Sequence, residues 1–183
     1  MVNIRGWQGA GKMARRHTHS PALAACRISK IADARMNTHF HLAAEKDTET
    51  LLEMMREFYQ HEGIPWNEEV AKSGLHKLLR DPGIGSAYII LADEHPAGYF
   101  VLTFPFSLEF HGKFALLDEI YVRAAFRRKN LARGVLEFAE NICRKTGIGA
   151  LRMEVAHENL AAQNLYRSIG FRRDLRHLFT KWL

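Results

Sequence analysis

Between Leu117 and Gly134 the chain reads Leu-Asp-Glu-Ile-Tyr-Val-Arg-Ala-Ala-Phe-Arg-Arg-Lys-Asn-Leu-Ala-Arg-Gly. A strand-like segment gives way to a basic turn of small residues, and a helical pattern begins at Leu131. The first turn of a helix carries backbone N–H groups with no helical partner, and the helix dipole adds partial positive charge there. A turn leading into a helix is therefore a cradle for an anion. Arg127, Arg128, Lys129 and Arg133 add full charges, and a guanidinium can grip phosphate oxygens with two donors at once. Asn130 tolerates a left-handed backbone almost as glycine does. Ala132 leaves room for close approach. These residues suit a diphosphate. A solvated basic loop ahead of an amphipathic helix would share the composition, so a second signal is needed.

The elements around this bend follow from periodicity. Phe40 and Leu42 sit in a short alternating stretch that starts at Met36, a first strand. Leu51, Met54, Met55, Phe58 and Tyr59 mark one face of a helix, with Asp47 in position to cap it. Gly63 and Pro65 end that helix. Asn67 caps a second, whose inward set is Val70, Leu75, Leu78 and Leu79, stopped by Asp81-Pro82-Gly83. Tyr88 to Ala92 and Gly98 to Phe104 read as strands joined by a turn at 93–96. Phe114 to Val122 is a further strand. A helix over about Leu131 to Lys145 turns Leu131, Val135, Phe138, Ala139 and Ile142 inward, and Glu140 and Arg144 pair on its wet side. Leu151 to Ala156 is a strand. Asn159 caps a short helix with Ala162, Leu165, Tyr166 and Ile169 inward, closed by Gly170. The tail, 171–183, alternates as one or two more strands. The order predicts an α/β layered domain with a mixed sheet.

Composition sets the outer bounds. The 183 residues suit one domain, and no apolar run approaches the ~20 residues of a membrane helix. The net charge of +6 is located in the leader. Residues 1–35 hold seven Lys/Arg and the single acid Asp33, and 36–183 hold 19 basic and 19 acidic residues. That distribution argues against a nucleic-acid surface on the folded part. The leader reads as a weakly structured basic extension outside the chemistry. Cys26 and Cys143 are too few for a disulfide framework or a zinc site, and this usage fits a reducing cytoplasm. The histidines, His17, His19, His39 and His41 among them, lack metal-ligand geometry.

Two motifs carry a family resemblance. The bend resembles motif A of the GNAT acetyltransferase superfamily, whose turn reads Arg/Gln-x-x-Gly-x-Gly/Ala. Arg127 and Ala132 match, Asn130 stands at the first glycine, and Arg128 and Ala124 depart from a common glycine and proline. The stretch Asn159-Leu-Ala-Ala-Gln-Asn-Leu-Tyr166-Arg-Ser-Ile-Gly170-Phe171 resembles motif B, Asn-x-x-Ala-x-x-Leu-Tyr-x-x-x-Gly-Phe, without a departure. The resemblance spans roughly 36–183. It implies a GNAT-like three-layer domain, a central, mixed, mostly antiparallel twisted sheet flanked by helices. It also implies acetyl-CoA as cosubstrate and a primary amine of a small molecule or protein as acceptor. The diphosphate would lie on residues 127–133 (Leu131 included), the pantetheine arm on the backbone of Ile120, Tyr121 and Val122, and Asn159 would contact the coenzyme. Tyr166 would protonate the leaving sulfur. An alkylamine of pKa ~10.4 is nucleophilic in only about one molecule in 10³ at neutral pH, so a base is needed. Asp118 or Glu119 fills that role; alternation lets only one face the site, and Glu119 is preferred. Tyr59, His61, Glu62, Trp66, Phe104, Phe106, Glu109 and Phe110 are expected around the acceptor. Dimers are common in families of this kind. The alternatives are a catalytically silent acyl-CoA-binding module, for which the altered motif A turn speaks, and a nucleic-acid binder using the leader.

Overall fold

The computed structural model describes residues 31–33 and 36–182. Residues 1–30 lie outside them, and so do the readings of the leader that concern them. Residues 31–33 form a short strand, β1 (Ile31–Asp33), inside the segment read as an extension. β2 (Met36–Leu42), α1 (Thr48–Glu62), α2 (Glu68–Arg80), β3 (Gly85–Ala92) and β4 (His95–Thr103) follow. A small hairpin, β5 (Phe106–Ser107) and β6 (Gly112–Lys113), precedes β7 (Ala115–Val122), α3 (Leu131–Thr146), β8 (Leu151–Met153) and α4 (Leu160–Ser168). One sheet runs β1-β2-β3-β4-β7-β8. Its neighbours are antiparallel except β7 and β8. The mixed, mostly antiparallel sheet is as expected.

Helices cover both faces of the sheet. On one side Leu51, Leu52, Met54 and Met55 of α1 and Leu75 of α2 pack against Ala87, Ile89, Tyr99, Val101 and Tyr121. On the other, Leu131, Val135, Phe138, Ala139 and Ile142 of α3 pack against Phe40, Tyr88, Ile90, Phe100 and Leu102, and Leu165 and Tyr166 of α4 join them with Ile169 just beyond its end. Tyr88 and Phe100 stack at 4.8 Å with Phe138 edge-on to both. These are the helical faces that the 3.6-residue period marks.

The caps fall largely where the residue types put them. Asn67 accepts the N–H of Val70, and Asn159 that of Ala162. Asp47 stands at the N-cap of α1, but its Oδ2 takes the N–H of Ala44 and contacts His41 instead of capping. Cys143 is buried. His39 lies 3.7 Å from Glu94, so both described histidines of the early strand are engaged with acids.

Two strand assignments are corrected. β8 ends at Met153 instead of reaching Ala156, because its pairing with β7 stops at Leu117. The tail 171–182 forms no strand. Its side chains tie it down instead: Arg176 donates to both oxygens of Glu109 at 2.7 Å, and Arg152 lies 3.3 Å from Asp174. Alternation alone does not make a strand: the backbone must also pair, and among the described residues no backbone hydrogen bond joins the tail to the sheet. Among the described residues no helix is long and apolar enough to cross a membrane.

Candidate active site

β7 carries an irregularity at Asp118. Glu119 pairs with Val101, but Leu102 pairs with Leu117, so Asp118 is an extra residue with no partner on β4. Such a bulge bends its strand and breaks the alternation of side chains. Three features meet around this point of the sheet.

The first concerns the carboxylates. Glu119 lies on the α1 side, where its Oε1 accepts the hydroxyl of Tyr59 at 2.9 Å and its Oε2 accepts that of Tyr99 at 2.7 Å. Tyr99 is fully buried on β4. The electrostatic influence of Asp118 reaches both Glu119 and Tyr59. The bulge breaks the alternation that would separate the two acids, and the charge of Asp118 acts on Glu119. Burial pushes the Glu119 carboxyl above the usual carboxylate range; the tyrosine donors oppose the rise, and Asp118 adds to it. Asp118 is exposed by its surface, yet neighbouring protein crowds its carboxyl enough to raise it as well. Burial and the charge of Glu119 push Tyr59 and Tyr99 far up, so both stay protonated donors.

The second concerns the backbone. Arg123 donates its N–H to Ala97 on β4. In an antiparallel ladder the backbone groups alternate direction. Tyr121 and Glu119 therefore also turn theirs to β4, whereas Ile120 and Val122 turn theirs to the opposite edge, which β8 has left. Of the three expected residues, Ile120 and Val122 offer free edge groups and Tyr121 does not. The Val122 carbonyl accepts Arg127 Nε at 2.9 Å. Gly98, opposite Val122, permits the close approach of β4, since a Cβ there would meet the Tyr121 carbonyl oxygen at 2.1 Å.

The third is the bend itself. Beyond β7 a 3-10 turn spans Ala124–Phe126, and α3 starts at Leu131. Arg128 and Asn130 both adopt φ of 61°. Asn130 was expected to do so; Arg128, standing where the motif often has glycine, was not. The backbone N–H groups of residues 128–133 donate to no carbonyl among the described residues. The side chains are partly engaged: Arg127 lies 6.0 Å from the Tyr121 ring, Lys129 5.2 Å from the Phe126 ring, and Arg133 donates to Ser168 Oγ at 3.0 Å. A run of unclaimed amides at the start of a sixteen-residue helix, beside an open strand edge, fits a diphosphate with an amide-bearing arm.

Tyr166 lies on α4, half-buried against the α3-side core and 6.1 Å from Phe171. Burial raises its hydroxyl above the ordinary phenol value. Asn159 serves α4 as its cap. The residues expected around the acceptor separate. Tyr59, which holds Glu119, lies 5.5 Å from the Trp66 ring. Phe104 is buried in the α3-side core, Phe106 is exposed, and Phe110 pairs with Phe114 under Arg152. A network that residue types alone did not reveal lies beside them. Arg123 donates to Glu57 at 2.7 and 3.0 Å and to Glu53 at 2.8 Å, and Tyr121 donates to Glu57 at 3.2 Å. It forms one wall of an open hollow of about 630 Å³ with Gln60, His61 and Arg127.

The chain matches the model of the Acetyltransferase (GNAT) family over residues 48–171, a stretch that contains both carboxylates, the bend and Tyr166. It is 25% identical over 123 residues to a thialysine N-epsilon-acetyltransferase of Caenorhabditis elegans, covering 67% of this chain and 76% of that one. Among solved structures it is similar to an integron cassette protein from the mobile metagenome of Cole Harbour Salt Marsh. That match has 29% identity and a TM-score of 0.71 over 79% of this chain and 90% of the other. The fold is shared with the aminoglycoside N-acetyltransferase AAC(6')-Iy, a structure in complex with CoA, at 13% identity and a TM-score of 0.70 over 83% of this chain and 99% of that one.

Proposed function

The chain belongs to the GNAT acetyltransferase family, and from that premise we propose that it moves the acetyl group of acetyl-CoA directly onto a primary amine, with Glu119 taking the amine proton and Tyr166 protonating the departing sulfur. The observation that carries this reading is the Glu119 carboxylate, held by two tyrosine hydroxyls beside an open strand edge that leads to six unclaimed amides.

The amides of residues 128–133 would hold the diphosphate, helped by the free charge of Arg128. Ile120 and the N–H of Val122 would pair with the pantetheine arm. The bound thioester supplies the acetyl carbonyl and a thiolate leaving group. Glu119 receives the proton that an ammonium acceptor must lose, and its raised affinity for protons suits it to that task near neutral pH. Asp118 adds negative charge that favours a cationic acceptor. Tyr166, kept protonated by burial, holds a proton ready at Oη. An ammonium acceptor loses two protons on becoming an amide: Glu119 takes the first, and the second restores Tyr166 after it has protonated the sulfur, so the protein ends with one extra proton on Glu119, which it releases to solvent.

The acceptor class we propose first is a lysine-like side-chain amine, following the thialysine enzymes to which the chain is similar. Incubation with acetyl-CoA and a panel of lysine, thialysine, a polyamine and an aminoglycoside tests the reading. Free thiol is expected to appear with at least one amine. A rise in melting temperature with acetyl-CoA and no thiol with any amine would instead leave a silent acyl-CoA-binding module.

A further inference from the structure

We infer that Tyr59 is a positioning residue that ties the base to the acceptor side of the molecule: its hydroxyl holds Glu119 while its ring and backbone anchor the loop between α1 and α2. The inference rests on the reading of Glu119 as the proton acceptor.

Tyr59 joins the two sites through three contacts. Its hydroxyl donates to Glu119 Oε1 at 2.9 Å, across 60 residues of sequence. Its ring meets Trp66 edge-on at 5.5 Å. Its own carbonyl accepts the N–H groups of Gly63 and Ile64, which close α1 and start the loop. Residues 63–65 are exposed, so the loop is open to a docking molecule. The indole N–H of Trp66 is buried without an acceptor among the described residues, and Arg56 lies over the ring at 5.7 Å. The ring is thus seated by packing, with no hydrogen bond to pin it. A molecule that presses on Trp66 moves Tyr59, and Tyr59 cannot move without changing a donor to Glu119.

The other tyrosine of the pair is built differently. Tyr99 is fully buried in the central sheet and can only be a fixed donor. Tyr59 stands on a helix that meets solvent, so it is the adjustable one. Around Glu119 the titratable groups are Tyr59 from α1, Tyr99 from β4 and Asp118 beside it, with Tyr121 next along β7. Of these, Tyr59 and Tyr99 hold the proton acceptor in its ionised form and Asp118 works against it.

Tyr59→Phe keeps the ring and the helix end and deletes only the hydroxyl. The acid limb of the kcat/KM–pH profile is expected to move to higher pH. The rate at a pH on that limb is expected to fall about tenfold, as for loss of a hydrogen bond to a charged group. By linkage the same shift makes the ionised carboxylate costlier, so at pH 7 the melting temperature should fall by a few degrees, and the difference should close in acid. A limb that stays where it is, whatever the rate does, overturns the inference. Trp66→Leu leaves the hydroxyl in place; it should raise the acceptor KM and shift the limb in the same direction by less. A raised KM with an unmoved limb would overturn the coupling. Glu119→Gln separates the two ideas: if it leaves turnover intact, the underlying reading of Glu119 fails; if it abolishes turnover while Tyr59→Phe leaves the limb in place, only this inference fails.

Discussion

Glu119→Gln preserves the shape of the side chain and removes its charge. At pH 7 an alkylamine spends all but about one part in 10³ of its time protonated, which corresponds to roughly 4–5 kcal/mol that catalysis must supply. A positioned base recovers ~10²–10⁴ in rate, about 2.7–5.4 kcal/mol at 1.36 kcal/mol per decade. The two ranges overlap, so kcat/KM should fall by ~10²–10⁴. Stability should move the other way. Burial holds the folded-state value of Glu119 above its unfolded one despite the two tyrosine donors. Between those values the folded chain binds more protons than the unfolded chain. Stability is therefore greatest below the unfolded value and declines as pH rises through the folded one. At neutral pH the ionised carboxylate is a net cost, which a neutral glutamine lacks. Its amide can still accept one tyrosine hydroxyl and donate to the oxygen of the other, so the clamp need not be broken. The variant should melt at or above the wild-type temperature at pH 7, with the gap closing in acid. Thiol release with acetyl-CoA and the best amine, beside thermal melts at several pH values, reads both effects. A lower melting temperature with unchanged turnover would make Glu119 a structural anchor and refute the reasoning.

Tyr166→Phe should slow turnover by ~10² or more if the hydroxyl is the sole acid, leaving the acetyl-CoA thermal shift in place; an unchanged rate in a thiol-release assay removes Tyr166 from the mechanism. Gly98→Ala drives a methyl group to within 2.1 Å of the Tyr121 carbonyl, so β4 and β7 must part. A loss of ~1–3 kcal/mol or more in denaturant unfolding is expected, together with a weaker thermal shift from acetyl-CoA, and a fully stable variant would mean that the strand yields freely there.

Much of the fold was legible because its signals are local. The apolar faces of α1 and α3 repeat every 3.6 residues, and the structure buries those faces. Asn67 and Asn159 cap because a short polar side chain before an apolar run has few better uses. Asp47 shows where local reasoning stops: a preceding turn offered the Ala44 N–H, and the side chain went there. The β5–β6 hairpin is two residues to a strand, too short for any period to register. The tail fails for the opposite reason. It has the pattern of a strand, but a strand also needs a partner, and the tail is held through Arg176 on Glu109 and Asp174 on Arg152 instead, pairings between segments far apart that no single stretch of sequence records.

The site was legible in its residue types and not in its geometry, and one residue accounts for most of the difference. Whether Asp118 is paired depends on how β4 registers against β7, a choice made between segments far apart in sequence. Read along the strand, Asp118 and Glu119 must face opposite ways, and one of them must be idle. With Asp118 extruded, the alternation resets: Glu119 finds Tyr99 and Tyr59, and Asp118 acts on the same group. The pairing with β8 also ends at Leu117, the residue before the bulge, so the edge from Ile120 to Val122 is open just where the strand runs towards the bend. The proposed base, the edge proposed for the coenzyme arm and the path to the proposed phosphate cradle thus meet at this bulge. It follows that deleting Asp118 should harm the site far more than replacing it with asparagine, because deletion restores the ladder while asparagine keeps the bulge and removes only a charge.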